Sequence, residues 1–341
     1  MNTGPLAPLD FLVLTGFLGS GKTSLLRDFL RSDAASDTAV IVNEVGEIGL
    51  DGVVLRESGD DVPMAMLSNG CVCCQVGSDL AFTIDRLIMA PRPDGAPPLR
   101  RIILETSGLS MPGPVLRQLA TLAEHRMRVA VVGTYDLTRG GAVAAFEEAA
   151  AQWAASHRII ATKADLAPDA LTGAHAAIAG INPVAEVVAT ADRAASVEAA
   201  FAPLASALPL RELAPAPASV HPRLALCLAR PIAAIAYPDL AAWLDNLAGS
   251  LGERLLRIKG LVRVNEAPRP LLVESVGTVF SPPRQLSADN PPPPFIVVIA
   301  RDIERAEVEQ VAPSRLFTFS WRTPETGDAD ARRTIRAEWV T

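Results

Sequence analysis

The sequence predicts an α/β protein with a mostly parallel sheet in a larger N-terminal domain and a smaller α+β C-terminal domain. Three observations support this fold class. Over roughly the first 210 residues, short Val-, Ile- and Leu-rich runs alternate with helical patterns. These runs show little apolar/polar alternation, which is typical of strands covered on both faces. A Pro- and Ala-rich stretch then leads to a second set of strand-like segments.

The N-terminal domain is predicted over residues 1–212, the linker over 213–222 and the C-terminal domain over 223–341. Strands are predicted in the first domain at 11–16, 38–44, 65–69, 100–106, 128–136, 158–165 and, most weakly, 185–190, with helices at 22–32 and 141–156. In the second domain we predict strands at 223–232, 254–265, 269–281 and 294–302, the last of that sheet, with a helix at 237–252. The charged tail from about residue 313 is expected to be only partly ordered.

Composition narrows the function classes. The formal net charge of −7 argues against general nucleic-acid binding. The first 14 residues lack a basic region, and no segment approaches the ~20 apolar residues of a membrane span. We therefore expect a cytoplasmic protein without a membrane partner, in a compartment that keeps thiols reduced.

The stretch GFLGSGKT fits the phosphate-binding pattern G-x-x-x-x-G-K-[ST] at every fixed position. A predicted strand precedes it, and Leu25, Leu26, Phe29 and Leu30 follow on one helical face. Backbone N–H groups and the helix N-terminus would bind phosphates, with Lys22 at the β/γ-phosphates and Thr23 on Mg²⁺. The predicted phosphate-binding residues are Gly16, Gly19, Ser20, Gly21, Lys22, Thr23 and Ser24.

Two further strand ends carry polar residues suited to a nucleotide site. Glu105 ends the strand at 100–106, where an acidic residue can orient Mg²⁺ or the attacking water, and Gly108 can offer its N–H to the γ-phosphate. We predict Lys22 and Glu105 as the catalytic residues. The alternative for Glu105 is a solvent-exposed carboxylate at a strand end.

The segment TKAD ends another predicted strand with Thr162, Lys163 and Asp165. A carboxylate there can accept hydrogen bonds from N1–H and the 2-amino group of guanine, a donor pair that adenine lacks. The lysine stem can lie across the base. Asp165 as a simple helix cap is the alternative.

Three of the four cysteines, Cys71, Cys73 and Cys74, lie within four positions. A closed zinc site needs four protein ligands, and a redox pair usually has C-x-x-C spacing, so neither matches. Three thiolates with an open position suit reversible binding of Zn²⁺, Co²⁺ or Cu⁺. Inert buried cysteines are the alternative. Glu44, Glu47 and Asp51 follow the second strand and form either metal ligands or a solvated loop.

The remaining candidates have weaker patterns. Cys227 alternates with apolar neighbours in a predicted strand, so core packing is expected. The same interpretation applies to the tryptophans. We expect the histidines to be ordinary surface or core residues, except that His221 in the linker could be an auxiliary ligand. The members of these two groups are Trp153, Trp243 and Trp321, and His125, His157 and His175.

With GFLGSGKT, NEVGEIGLD, GCVCC, ETSGL and TKAD in this order, the chain resembles the CobW-type P-loop GTPases, relatives of UreG and HypB. The resemblance covers nearly the whole chain. It implies that Gly16 to Thr23 bind phosphates and that Thr162, Lys163 and Asp165 recognise guanine. It also implies that Cys71, Cys73 and Cys74 hold the metal, with Glu44 as a helper.

Two residues depart from the family pattern. Thr162 stands where many GTPases have Asn, and Met111 replaces an often acidic residue, so we assign Met111 no role.

The resemblance implies a GTPase that uses GTP and Mg²⁺ and delivers Zn²⁺, or alternatively Co²⁺, to apo-metalloprotein clients. Homo-oligomerisation is left open. A P-loop small-molecule kinase with structural cysteines is the main alternative, and ATP preference would favour it. A third interpretation is a metal-sensing module with a decayed nucleotide site.

Overall fold

The computed structural model describes residues 9–43, 63–67, 77–92, 95–120, 122, 125, 127–204, 223–286, 291–312 and 316–322. Two sheets organise these residues, a parallel one in the N-terminal part and an antiparallel one in the C-terminal part. Together they confirm the predicted fold class. The predicted domain limits at 212 and 223 stay a prediction, because residues 205–222 lie outside the described ranges.

The first sheet contains seven parallel strands in the order β3-β2-β4-β1-β5-β6-β7. They are β1 (Asp10–Thr15), β2 (Thr38–Asn43), β3 (Met64–Leu67), β4 (Arg101–Glu105), β5 (Arg128–Asp136), β6 (Arg158–Thr162) and β7 (Glu186–Val188). Every residue of β2 and β6 is buried, as their Val- and Ile-rich runs predict. β4 and β5 lie on opposite sides of β1, so the strand order switches direction beside β1. Open α/β sheets bind ligands at such a switch point.

Helices cover both faces of this sheet. They are α1 (Lys22–Leu30), α2 (Gly77–Met89), α3 (Pro112–Ala120), α4 (Glu147–Ala155), α5 (Leu171–Ala179) and α6 (Arg193–Phe201). Leu25, Leu26 and Phe29 of α1 pack with Phe201 of α6 in one core cluster, which confirms the predicted apolar face of α1. Residues of α2 and α3 form a separate cluster with residues of β1, β2 and β4.

The predicted single helix at 141–156 is wrong in one respect. A short 3-10 helix, Gly140–Ala145, and α4 are separated by Phe146, which has an extended backbone. The Phe146 ring stacks on Phe17 with the ring centroids 4.7 Å apart. The break therefore places an aromatic ring against the loop that follows β1.

The second sheet is antiparallel, with the order β11-β10-β9-β13-β8-β14 and β12 paired to β10. Its strands are β8 (Leu224–Pro231), β9 (Leu255–Val262), β10 (Leu271–Val276), β11 (Val279–Phe280), β12 (Arg284–Gln285), β13 (Phe295–Arg301) and β14 (Phe317–Arg322), and its helices are α7 (Tyr237–Leu251) and α8 (Arg305–Glu309). Leu240 and Trp243 of α7 share a core cluster with Cys227 of β8. Leu226 and Trp153 share another, so the second sheet packs on α4.

Two predictions for the second sheet are corrected. The predicted strand at 269–281 is a hairpin, because Gly277 has a left-handed φ of 55° between β10 and β11. The strand at 294–302 is not the last, since β14 pairs with β8 at the sheet edge. The sequence FTFSWR alternates apolar and polar residues, which is the pattern of a half-buried strand.

The secondary predictions for buried residues agree with the structure. Cys227 is 1% exposed in β8, and burial, together with repulsion from Glu309, raises the pKa of its thiol. Trp153 and Trp243 are buried in the two domains. Within the described ranges, no helix combines the length and the apolar content that a membrane crossing requires.

Candidate functional site

The candidate site lies at the carboxyl ends of four adjacent strands, β4, β1, β5 and β6. Gly16 follows β1, and Glu105, Asp136 and Thr162 are the last residues of β4, β5 and β6. The carboxyl ends of parallel strands lie at the same edge of a sheet, so residues distant in sequence meet here. Three of the four segments were predicted from their motifs, while Asp136 was missed.

The loop from Gly16 to Gly21 connects β1 to α1 and approaches its neighbours too closely for side chains at key points. A Cβ added at Gly16, whose φ is 149°, would lie 2.0 Å from the Thr134 hydroxyl oxygen. Thr134 also bonds the Ser20 hydroxyl at 2.6 Å. The loop is therefore fixed against β5, with the first turn of α1 directly after it. This is the arrangement in which backbone N–H groups bind phosphate oxygens.

Lys22 lies across the inside of its own loop. Its Nζ donates to the carbonyl oxygens of Gly16 at 2.7 Å and Phe17 at 3.3 Å, and the residue is 8% exposed. Ser24, in the same helical turn, is exposed. A buried ammonium group inside a ring of backbone dipoles suits a polyanionic ligand such as a nucleotide phosphate chain.

Thr23 and Glu105 bring two hard oxygen donors together. The Thr23 hydroxyl donates to Glu105 Oε1 at 2.6 Å, and Glu105 is 4% exposed. Buried carboxylate and hydroxyl oxygens next to a phosphate-binding loop fit Mg²⁺, which prefers oxygen ligands. The alternative of a solvent-exposed Glu105 is wrong, because its strand end is covered.

The loop after β4 packs directly on the loop of residues 16–21, the phosphate loop. A Cβ on Gly108 would lie 2.7 Å from the backbone nitrogen of Leu18, so only glycine permits this approach. Gln152 of α4, which is fully buried, donates to the carbonyls of Gly108 at 3.0 Å and Ser110 at 2.9 Å. Gln152 was not predicted, since nothing in its local pattern distinguishes it from a helix surface residue.

Thr162 contacts the phosphate loop. Its hydroxyl lies 2.7 Å from the Ser20 carbonyl and 3.2 Å from the Tyr135 carbonyl, both acceptors. A Cβ added at Gly21 would lie 3.6 Å from Thr162 Cβ, which is an ordinary van der Waals distance. Thr162 is 2% exposed and therefore supports the loop.

Lys163 and Asp165 follow β6 in the predicted base-recognition segment. Lys163 adopts a left-handed φ of 59°, and its Nζ donates to Asp136 Oδ2 at 2.6 Å. Asp165 is exposed, so its carboxylate is accessible to a ligand. The positive φ turns the chain sharply at the end of β6, and the Lys163 side chain contacts Asp136 at the end of β5.

Asp136 and Arg139 complete the site and were not predicted. The Arg139 guanidinium donates through Nη1 to the Leu18 carbonyl at 3.0 Å and lies 3.9 Å from Asp136 Oδ2 through Nε. A positive group thus stands beside the phosphate loop. The only sequence signal was the polar run that ends the strand at 128–136.

The predicted soft-metal ligands Cys71, Cys73, Cys74 and Glu44 lie outside the described residues, as do Glu47, Asp51 and His221. Within the described residues, no group of three His, Cys, Asp or Glu side chains could hold a metal ion. The prediction of a cysteine metal site is therefore neither supported nor opposed by this geometry.

Comparisons with known proteins agree with the motifs. The family profile described as "CobW/HypB/UreG, nucleotide-binding domain" matches residues 10–189. The chain belongs to this family. A second profile, "Cobalamin synthesis protein cobW C-terminal domain", matches residues 225–311 of this CobW-family chain. The resemblance predicted from the five motifs is confirmed.

Three relatives illustrate the similarity. The "Zinc chaperone CobW" of Pseudomonas aeruginosa is 31% identical, over 89% of this chain and 90% of its own length. The "Zinc-regulated GTPase metalloprotein activator 1" of Schizosaccharomyces pombe is 37% identical, over 32% of this chain and 26% of its own length. The crystal structure of Zn(II)-bound YjiA GTPase from Escherichia coli covers 90% of this CobW-family chain and 98% of its own, with a TM-score of 0.63 and 20% identity. That structure shows that the P-loop GTPase fold is shared.

Proposed function

We propose that the chain is a GTP-hydrolysing metal chaperone that carries a soft divalent ion, zinc in the first place, to apo-metalloprotein clients. The observation that carries the nucleotide half is the contact of Thr23 with Glu105 beside the phosphate loop. The names of the relatives, zinc chaperone and GTPase metalloprotein activator, support the metal half.

The nucleotide half uses the described residues. Backbone N–H groups from Gly16 to Ser24 would bind the phosphates, and Lys22 would exchange its loop carbonyls for phosphate oxygens. Thr23, fixed by Glu105, would hold Mg²⁺, which neutralises the charge that develops on the phosphates. Gly108 would offer its N–H to the γ-phosphate. Lys163 and Asp165 would bind guanine, with Thr162 supporting the loop.

The metal half rests on the cysteine motif. Cys71, Cys73 and Cys74 would bind Zn²⁺ through thiolates, with Glu44 as a harder fourth ligand. Co²⁺ is the second ion for this ligand set. Mg·GTP would order the loop with Glu44 against the cysteines, and hydrolysis would release the ion to a client in the cytosol.

The test is the Zn²⁺ affinity of the full chain with and without a non-hydrolysable GTP analogue. We expect the analogue to tighten Zn²⁺ binding, and thermodynamic linkage requires Zn²⁺ to tighten the analogue by the same factor. Equal zinc affinities in both conditions would show that nucleotide binding and zinc binding are not coupled. Hydrolysis of GTP without Mg²⁺ dependence would remove the proposed role of Thr23 and Glu105.

Two variants locate the metal site. Cys73→Ala/Cys74→Ala should lose the analogue-dependent zinc affinity, whereas Cys227→Ala, which removes a buried thiol in β8, should keep it. Unchanged zinc binding in the double variant would exclude the motif. A preference for ATP over GTP would instead favour the kinase interpretation.

A further inference from the structure

Arg139 lies between the phosphate loop and the predicted base-recognition segment. Its Nη1 donates to the Leu18 carbonyl of the loop at 3.0 Å. A Cβ added at the next loop residue, Gly19, would be 3.9 Å from Arg139 Nη2. The Arg139 side chain is 49% exposed, so the guanidinium stands at the edge of the loop.

Asp136 connects this arginine to the base side. Its Oδ2 accepts from Lys163 Nζ at 2.6 Å and lies 3.9 Å from Arg139 Nε, while its Oδ1 accepts from the backbone N–H and hydroxyl of Thr138 at 2.9 and 2.6 Å. Burial acts to raise the pKa of Asp136, but the hydrogen bonds from Lys163 and Thr138 outweigh it and lower this pKa. The carboxylate is therefore charged at neutral pH and attracts one cation from each side.

The contact with Leu18 acts on a specific peptide group. The described chain contains no cis peptide bond, so the carbonyl of Leu18 and the N–H of Gly19 point in opposite directions. Loop N–H groups of this motif face the phosphates. Arg139 therefore binds the outer side of the Leu18–Gly19 peptide. A charged donor on the carbonyl polarises the peptide and makes the opposite N–H a stronger donor.

We propose that Arg139 is a positioning residue for phosphate binding and that Asp136 holds it in a fixed position relative to Lys163. Arg139 orients the Leu18–Gly19 peptide so that the N–H of Gly19 can donate a hydrogen bond to the phosphates. Asp136 holds the arginine and the base-side lysine together. This inference rests on the proposed GTP binding, and it assigns a nucleotide role to two residues outside the recognised motifs.

The experiment measures the affinity of the full chain for GTP, GDP and ITP by titration. Arg139→Ala should weaken all three by roughly tenfold or more, since a charge-assisted hydrogen bond is lost. The factor should be the same for GTP and ITP, because the base is not contacted. In steady-state turnover KM should rise with little change in kcat. This is the pattern expected when bound GTP and the transition state lose the same binding energy.

Three further variants separate geometry from charge and from general damage. Arg139→Lys should recover only part of the affinity, because an ammonium lacks the planar fork. Asp136→Asn should weaken binding and also narrow the ratio of GTP to ITP affinity, because Lys163 loses its anchor. Arg193→Ala is the matched control, since Arg193 is 44% exposed and pairs with Asp28 at the far end of α1. It should bind GTP as the unmodified chain does.

The outcomes distinguish this inference from the proposed function. If the unmodified chain fails to bind GTP, the proposed function fails. If it binds GTP and Arg139→Ala binds equally well, only the role of Arg139 is overturned. Equal losses in Arg139→Ala and Arg193→Ala would indicate general destabilisation and also overturn it. Full recovery of GTP affinity in Arg139→Lys would exclude orientation of the peptide by the guanidinium. Unaltered GTP affinity and an unaltered GTP-to-ITP ratio in Asp136→Asn would show that Asp136 does not hold Arg139 and Lys163 together.

Discussion

The Thr23 hydroxyl donates a 2.6 Å hydrogen bond to Oε1 of Glu105, and this contact joins the start of α1 to the end of β4. The two residues are 82 positions apart in sequence. Their contact depends on the strand order, which places β4 directly beside β1. It brings the hydroxyl that would bind Mg²⁺ and a buried carboxylate to one point next to Lys22.

Removing the charge of Glu105 should separate hydrolysis from binding. Glu105→Gln keeps an oxygen that accepts from Thr23 but cannot supply a negative charge to Mg²⁺ or to the attacking water. We expect Mg²⁺-dependent GTP turnover to fall by about 100-fold, the scale of a lost acid–base or electrostatic group. GDP affinity without Mg²⁺ should change little. Single-turnover hydrolysis and nucleotide titration measure the two quantities.

Ser32→Ala is the control for this prediction, because the Ser32 hydroxyl donates to the Phe29 carbonyl at the other end of α1. It should hydrolyse GTP at the unmodified rate. Normal Mg²⁺-dependent turnover in Glu105→Gln would contradict the assignment of Glu105 as a catalytic residue.

Thr162 should affect phosphate binding rather than base selectivity. Thr162→Val keeps the shape of the side chain but leaves the Ser20 carbonyl without this donor. A lost buried hydrogen bond costs about 1 to 2 kcal/mol. We therefore expect lower thermal stability and weaker GTP and ITP binding by a common factor. Thr38→Val is the control, since Thr38 is equally buried but bonds side chains away from the loop. A change confined to the GTP-to-ITP ratio would show that Thr162 acts on the base.

Asp165 should set the choice of base. Its carboxylate would accept from N1–H and the 2-amino group of guanine. Asp165→Asn puts an amide donor at that edge, which fits the 2-oxo group of xanthine. We expect GTP affinity to fall by about 100-fold or more and XTP to bind better than GTP, because unpaired polar groups are rejected strongly. Competition titration with GTP and XTP measures the switch. Asp169→Asn, in the next short helix, should keep the GTP preference, and its loss there as well would argue against base recognition by Asp165.

The site could be predicted as far as its motifs extend. The phosphate loop, Glu105 and the TKAD segment each lie at the carboxyl end of a strand, and the strands were recognisable by their apolar runs. Asp136 and Arg139 could not be found in this way. Their role depends on β5 lying between β1 and β6, and strand order is a tertiary property that local patterns do not encode.

Gln152 was missed for a related reason. Its two hydrogen bonds to the Gly108 loop arise from the position of α4 against β5. In the second sheet, β14 was missed because it is short and is followed directly by a charged stretch. The cysteine motif stays a prediction.

The contact between the two sheets contains buried positive charge that no sequence pattern indicated. Arg257 and Lys259 on β9 are 0% and 7% exposed, and both face Glu274 on β10, at 3.7 and 3.4 Å. Arg257 Nη1 also lies 3.1 Å from His157 Nε2, next to β6. Burial and repulsion by Arg257 lower the pKa of Lys259 to about 8, although Glu274 acts in the opposite direction. Two buried cations thus share one carboxylate.

This arrangement predicts a specific dependence of stability on pH. Between about pH 8 and the ordinary lysine pKa near 10.5, the unfolded chain binds a proton at Lys259 that the folded chain has released. The Lys259 contribution to the free energy of unfolding therefore rises with pH in this window. From about pH 7.5 to 9.5 this contribution should gain on the order of 1 to 2 kcal/mol, partly offset by Cys227, whose raised thiol pKa acts in the opposite direction.

Lys259→Met should remove that dependence. The methionine fills the buried volume without a charge, and Glu274 keeps Arg257 and Arg284, whose Nη2 lies 3.6 Å from it. We expect the variant to be more stable than the unmodified chain at neutral pH and to lose the rise toward pH 9.5, as measured by chemical denaturation at a series of pH values. Arg284→Met is the control, because Arg284 is 52% exposed and faces the same carboxylate. It should retain most of the rise, because Arg284 contributes least among the groups that lower the pKa of Lys259. A slope that survives in Lys259→Met would assign the pH dependence to another group.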